Sequence, residues 1–174
     1  MTRQISGMTR RGLLGAFAAT TVAAAPMSKA FAFNRGAGDI RSIRMYSGRT
    51  GESVNTIYWV EGEYIQEAID EITHFMRDWR NGKVMPIDTR TIDIMTAAHR
   101  LMDTDEPYML LSGYRSPETN AMLRARSRGV AKNSRHMKGQ AADLRLKSRS
   151  VNQIYRAATA CSAGGVGKYS RSNF

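Results

Sequence analysis

Two side chains that bind divalent metals, an imidazole and a carboxylate, stand six residues apart in His136-Met137-Lys138-Gly139-Gln140-Ala141-Ala142-Asp143. Neutral histidine and ionised aspartate are ordinary zinc ligands. Their gap is too long for one helical turn. It suits a loop that carries the histidine into a strand that carries the aspartate, with Gly139 and the two alanines letting the backbone pass close by. Asp143 lies between Ala142 and Leu144, and a carboxylate in such apolar company needs a metal, a cation or several donors. On spacing alone, the same residues also describe an exposed loop histidine and a structural aspartate.

A second segment, Ser112-Gly113-Tyr114-Arg115-Ser116-Pro117, ends a short apolar run and precedes a proline-started helix. Arg115 therefore falls at the lip of a strand-to-helix turn. A guanidinium there can grip a carboxylate with two parallel hydrogen bonds or stabilise charge that develops on an oxygen during amide hydrolysis. The plainer alternative is a surface arginine paired with Glu118.

The elements that must position these residues follow from periodicity. Ile40 to Tyr46 and Ser53 to Val60 are β-rich runs around a turn with Gly48 and Gly51, which predicts a hairpin. Ile65, Ala68, Ile69, Ile72, Phe75, Met76 and Trp79 repeat at helical spacing and predict a helix over 64–80, stopped at Asn81-Gly82. Asp88 is a natural N-cap for a helix to about Met102. A buried strand is expected at Tyr108 to Leu111, a helix at Pro117 to Arg126 and another strand within Gly139 to Leu146. Ser150 should cap a helix to Ala160, and a final strand is expected to begin at Val166 to Tyr169. Helices and strands mix without strict alternation, so the fold class is α+β, with helices packed on a mainly antiparallel sheet.

The chain has 174 residues, 42% hydrophobic and 24% charged, with a formal net charge of +11. That composition suits one folded domain rather than a disordered chain. Residues 1–32 read as a signal peptide. Arg10-Arg11 precede an apolar run from Leu13 to Ala25, and Ala30-Phe31-Ala32 follows as a small-x-small cleavage site. The paired arginines mark the twin-arginine type, so the twin-arginine export machinery is an expected partner. No cysteine follows the apolar run, so no stable membrane anchor is expected. Residues 33–39 form an expected flexible leader. Losing residues 1–32 removes four basic residues and no acid, which leaves +7 on an exported protein of the periplasm or cell envelope. Such charge favours encounter with anionic wall polymers. The basic run Arg124, Arg126, Arg128, Lys132 and Arg135 lacks interleaved aromatics, and no nucleic acid is expected as a partner. Cys161 is the only cysteine, which excludes an internal disulfide and suits a packed thiol. His74 and His99 read as packed or surface histidines.

Taken together, the two motifs resemble the zinc D-Ala-D-Ala carboxypeptidase superfamily, whose fold is shared with the Hedgehog signalling domain. There a Ser-Gly-Tyr-Arg-Ser/Thr segment precedes Ser-x-His-x-x-Gly-x-Ala-x-Asp. This chain matches with Ser112 to Ser116 and with Ser134-Arg135-His136-Met137-Lys138-Gly139-Gln140-Ala141-Ala142-Asp143. Residues 40–174, including Gly164-Gly165-Val166-Gly167-Lys168-Tyr169, further resemble a bacterial envelope branch labelled unknown-function family 882.

The resemblance implies a Hedgehog-like peptidase fold, a Zn2+ cofactor and peptidoglycan stem peptides as substrate, cut by a carboxypeptidase or an endopeptidase. It makes His136 and Asp143 the first two zinc ligands, Arg115 the contact to substrate or oxyanion, and Ser134 a residue near the substrate. The family's third ligand and its candidate base lie in a Val-His-x-Asp segment, which would fall beyond Phe174. On this reading the peptidase-like domain, 40–174, is incomplete at its C-terminus. The alternative function is then a non-catalytic wall-binding module or an inactive truncated copy.

Overall fold

The computed structural model describes residues 39–169. The signal peptide expected at 1–32 and the leader before Asp39 lie outside these residues. The predicted hairpin forms: β1 (Ile40–Tyr46) pairs antiparallel with β2 (Ser53–Val60), and the short β3 (Glu63–Tyr64) extends β2. Two helices follow, α1 (Gln66–Phe75) and α2 (Thr89–Leu101). After crossing both, the chain returns as β4 (Tyr108–Ser112), which runs parallel to β1. Parallel neighbours need such a crossover, because a tight turn can only reverse the chain. The helix α3 (Pro117–Arg126), a single 3₁₀ turn (Arg135–Lys138), the antiparallel edge strand β5 (Asp143–Arg145) and α4 (Val151–Ala160) complete the order. The sheet order is β3-β2-β1-β4-β5, so the α+β sheet is mixed, with one parallel junction.

Ile43, Met45, Val54, Tyr108 and Leu110 from the sheet share one buried core with Ile69, Ile72, Phe75 and Met76 around α1, and with Ile92, Met95 and Ala98 of α2. Arg41 lies on the same strand face as Ile43 and Met45 and is only 3% exposed. Its Nη1 meets Asp93 of α2 at 2.8 Å. The Asp93 carboxylate also accepts from the hydroxyls of Tyr58 at 3.0 Å and Tyr64 at 2.7 Å. This charged knot ties the hairpin to α2. A bulge in the β1–β2 register between Arg41 and Ser42 turns Tyr58 inward to join it.

Two predicted boundaries need correction. The first helix was expected to reach Arg80 and instead stops at Phe75. The reason is Asp78, whose side chain is fully buried. Continuing the helix would require the Met76 carbonyl to accept from Arg80. That carbonyl accepts instead from the Tyr114 N–H at 2.7 Å, and the Arg80 N–H turns to the Asp78 carboxylate at 3.2 Å. The Asp78 backbone closes a tight loop over residues 78–83, accepting from Gly82 and donating to Lys83. A short acidic side chain thus competes with the helical ladder. The strand expected from Val166 to Tyr169 is also absent from the structure, which has no strand there. Gly164, Gly165 and Gly167 interrupt extended pairing, and the segment lies against α4, with Lys168 Nζ 2.9 Å from Asn152 Oδ1.

Asp78 also accepts from the Ser116 N–H at 2.9 Å, which joins the 78–83 loop to the turn that carries Arg115. Burial alone would raise its pKa. Hydrogen bonds from Thr119, Ser116 and Arg80 outweigh that and hold it below the ordinary value of 3.8. The folded state therefore favours the ionised form. This contribution is complete above the ordinary pKa and is lost as pH falls through the lower folded value. Asp78→Asn should cost about 2 kcal/mol at neutral pH, because it places an amide group among buried donors. Urea unfolding checks this, and the gap from the parent protein should narrow in acid. Equal midpoints at neutral pH would show that Asp78 does not hold this loop.

Candidate metal and substrate site

The site is built where β4 meets β5. Their register runs Met109 to Arg145 and Leu110 to Leu144, then shifts at a bulge so that Ser112 faces Asp143. Bulges often re-aim side chains beside functional sites. Directly after β4, Gly113 passes so close to Met76 that a Cβ would collide with the Met76 carbonyl oxygen. Tyr114 turns into the core, and Ser116 caps α3 by accepting from the Thr119 N–H at 3.2 Å, with Pro117 in the first helical turn. Between these two anchors Arg115 is held by its backbone as well, since its N–H donates to the His136 carbonyl at 3.2 Å.

His136 sits on the 3₁₀ turn. Gly139 ends that turn at φ 64°, a left-handed conformation that glycine adopts without strain. A Cβ at Gly139 would collide with the Pro86 carbonyl oxygen. The Gly139 carbonyl accepts from the Asp88 N–H at 3.0 Å, so the histidine loop is pinned to the start of α2. His136 Nδ1 lies 2.8 Å from the Gly113 carbonyl. A carbonyl can only accept, so Nδ1 carries the proton, and in the neutral ring Nε2 carries the lone pair.

That Nε2 faces Asp143 Oδ1 at 3.4 Å, and Arg115 Nη2 lies 3.6 Å from Asp143 Oδ2. The structure therefore brings His136, Asp143 and Arg115 together. Arg115 Nη2 also donates to Ser112 Oγ at 3.4 Å, while its Nε is buried without a partner. Glu118, the alternative partner for Arg115, pairs with Lys83 at 2.6 Å instead. Ser134 is buried just before the turn, and its side chain makes no capping bond. Ser134, His136 and Asp143 line one groove of about 480 Å³, which continues along Ile154 and Tyr155 of α4.

A neutral imidazole nitrogen and a carboxylate oxygen, both bearing lone pairs, repel each other at 3.4 Å unless a proton or cation lies beside them. Two ligands of a tetrahedral zinc at about 2.05 Å are separated by about 3.3 Å, so the pair has the right span. The hydrogen bond from Nδ1 to a backbone carbonyl is also the usual support for a metal-binding histidine. On geometry and donor type, His136 and Asp143 fit two positions of a zinc site. Among the described residues no cluster of three or more His, Cys, Asp or Glu could hold a metal. His74 is exposed on α1, and His99 Nε2 lies 2.7 Å from the Glu106 carbonyl oxygen. Cys161 is half-buried against the core, where burial pushes its thiol pKa up.

Sequence reasoning missed Asp78, which positions the Arg115 turn through Ser116. A signal was present: an acid amid the apolar helical repeat of Phe75, Met76 and Trp79 is poorly placed for a continuing amphipathic helix.

Comparison with known proteins identifies the family. The chain is 44% identical over 134 residues to the peptidoglycan L,D-endopeptidase MepK of Escherichia coli (strain K12), covering 77% of this chain and 74% of that protein. The MepK of Shigella flexneri matches to the same extent. A Haemophilus influenzae relative, described as a probable peptidoglycan L,D-endopeptidase MepK, is 33% identical over 126 residues, covering 72% of this chain and 68% of that protein. No solved structure gives a significant match. The family model described as peptidoglycan L,D-endopeptidase MepK spans residues 35–174, and the chain belongs to that family, within the D-Ala-D-Ala carboxypeptidase-like peptidases of the bacterial envelope.

Proposed function

We propose that this protein is a zinc-dependent endopeptidase that hydrolyses peptide bonds in peptidoglycan stem peptides, with the L,D-type link named for its relatives as the bond cut. The observation that carries this reading is the 3.4 Å approach of His136 Nε2 to Asp143 Oδ1 beside the Arg115 guanidinium, in a chain of this family. His136 and Asp143 would hold the ion. The tautomer enforced by the Gly113 carbonyl leaves the Nε2 lone pair free for it, and β5 positions the carboxylate. Zinc, when bound, would supply a water acidic enough to attack near neutral pH and a polarised scissile carbonyl. Arg115, fixed at both its backbone and its side chain, orients the substrate carboxylate or stabilises the oxyanion that forms on the carbonyl. Ser134 lies along the groove as a substrate contact. The family's third ligand is expected beyond Phe174 and would complete the set. Residues 1–32 direct the protein through the twin-arginine route to the periplasm, where the wall is within reach.

Chelation of the purified full-length protein should abolish cleavage of cross-linked muropeptides, and zinc should restore it. His136→Ala and Asp143→Ala should each weaken zinc affinity by more than about tenfold, read by metal analysis after gel filtration. Unchanged zinc content in either variant would remove that residue from the site.

Arg115→Ala should lower kcat/KM on the same muropeptides about 10²-fold, with a change in unfolding free energy of less than about 1 kcal/mol. Preserved turnover together with a large loss of stability would make Arg115 a structural residue.

A further inference from the structure

The loop that Asp78 closes does more than support Arg115. It carries the half-buried Trp79 and the exposed Arg80, and both residues adjoin the Arg115 turn through hydrogen bonds of their neighbours. The Asn81 side chain donates to Ser116 Oγ at 2.8 Å, and the Ser116 N–H donates to Asp78 at 2.9 Å. Arg80 lies over the Trp79 ring at 4.2 Å from its centroid. Arg49, from the β1–β2 turn, reaches the same ring at 4.8 Å. That turn is closed by hydrogen bonds: the Arg49 and Thr50 N–H groups both donate to Ser47 Oγ at 3.3 Å, the Ser47 N–H donates to the Glu52 carbonyl at 2.9 Å and the Gly51 N–H to the Ser47 carbonyl at 2.9 Å.

The surrounding charges are unevenly matched. Arg77 is gripped by Glu52 through two bonds of 3.0 and 2.9 Å, and Lys83 pairs with Glu118. Asp78 is occupied by backbone donors. Among the described residues, no ion pair is formed by Arg49 or Arg80. Two exposed guanidiniums thus share one indole plate, and neither forms an ion pair among the described residues. Burial, and then the positive fields of Arg115 and Arg49, work against the charge of Arg80, while Asp78 supports it. A guanidinium over an aromatic ring is held in place, yet keeps its in-plane N–H donors free for a carboxylate fork.

We propose that Arg49 and Arg80, held on Trp79 beside Arg115, form a second carboxylate-binding subsite, which takes a free carboxylate of the wall peptide outside the scissile bond. This rests on the peptidase reading for the identity of the substrate. The subsite is a specificity device. It selects acidic stem peptides over amidated ones by engaging a substrate group that does not react.

The test compares a cross-linked muropeptide whose stem carboxylates are free with its amidated counterpart, by calorimetry and by cleavage, using the full-length protein. The parent protein should bind the free acid about tenfold or more tightly than the amide. In the Arg49→Gln, Arg80→Gln double variant that ratio should fall toward one. The loss should appear in KM, and binding of the amidated peptide should match that of the parent. Arg80→Lys, which keeps the charge but lacks the planar fork, should give an intermediate ratio and guards against misfolding of the double variant. Equal affinity of the parent for both peptides, or an equal penalty on both in the variant, would overturn the subsite. Should neither peptide be cleaved by the parent while the affinity ratio behaves as described, the peptidase reading falls and the subsite stands.

Discussion

The hydrogen bond between His136 Nδ1 and the Gly113 carbonyl, at 2.8 Å, is the contact on which the site depends. It joins the two motifs through residues that are 23 positions apart in sequence. It also determines which imidazole nitrogen carries a proton, and so which is free to bind a cation. The reciprocal bond, from the Arg115 N–H to the His136 carbonyl, makes the joint two-stranded. Moving either segment would therefore displace the imidazole and the guanidinium together. The absence of a side chain at Gly113 permits this joint, because a Cβ there would meet the Met76 backbone.

Around this joint, two buried carboxylates brace the fold in different places. Asp93 collects Arg41, Tyr58 and Tyr64 and secures the hairpin to α2. Asp78 collects backbone donors and secures the end of α1 to the Arg115 turn. Both are satisfied by several donors, which is the condition under which a buried charge is tolerated. Their placement has a functional consequence. Met76, Asp78 and Ser116 link the hydrophobic core to the loop carrying Arg115, so preorganisation of the guanidinium depends on core packing beneath it.

Legibility in the sequence tracked how local the governing chemistry was. The start of α4 could be read because its cap, Ser150, acts within one turn. The start of α3 could be read from Ser116 and Pro117 for the same reason. The convergence of residues 115, 136 and 143 was visible only through the paired motifs, since neither spacing alone defines a cation site. Non-local effects escaped. The early end of α1 depends on Ser116 and Tyr114, far along the chain from Asp78 and Met76. The parallel junction of β1 and β4 depends on how two helices cross the sheet. Arg41 shares the strand face of Ile43 and Met45, but its partner Asp93 cannot be deduced from that alternation.

If His136 and Asp143 share one metal ion beside Arg115, an anomalous difference map recorded at the zinc edge from crystals of the full-length protein should reveal it. One strong peak is expected at about 2.0–2.2 Å from His136 Nε2 and from an Asp143 oxygen, with the Arg115 guanidinium alongside. A zinc peak bound elsewhere, or a His136 ring turned so that Nε2 faces away from the peak, would rule out a shared ion at this site.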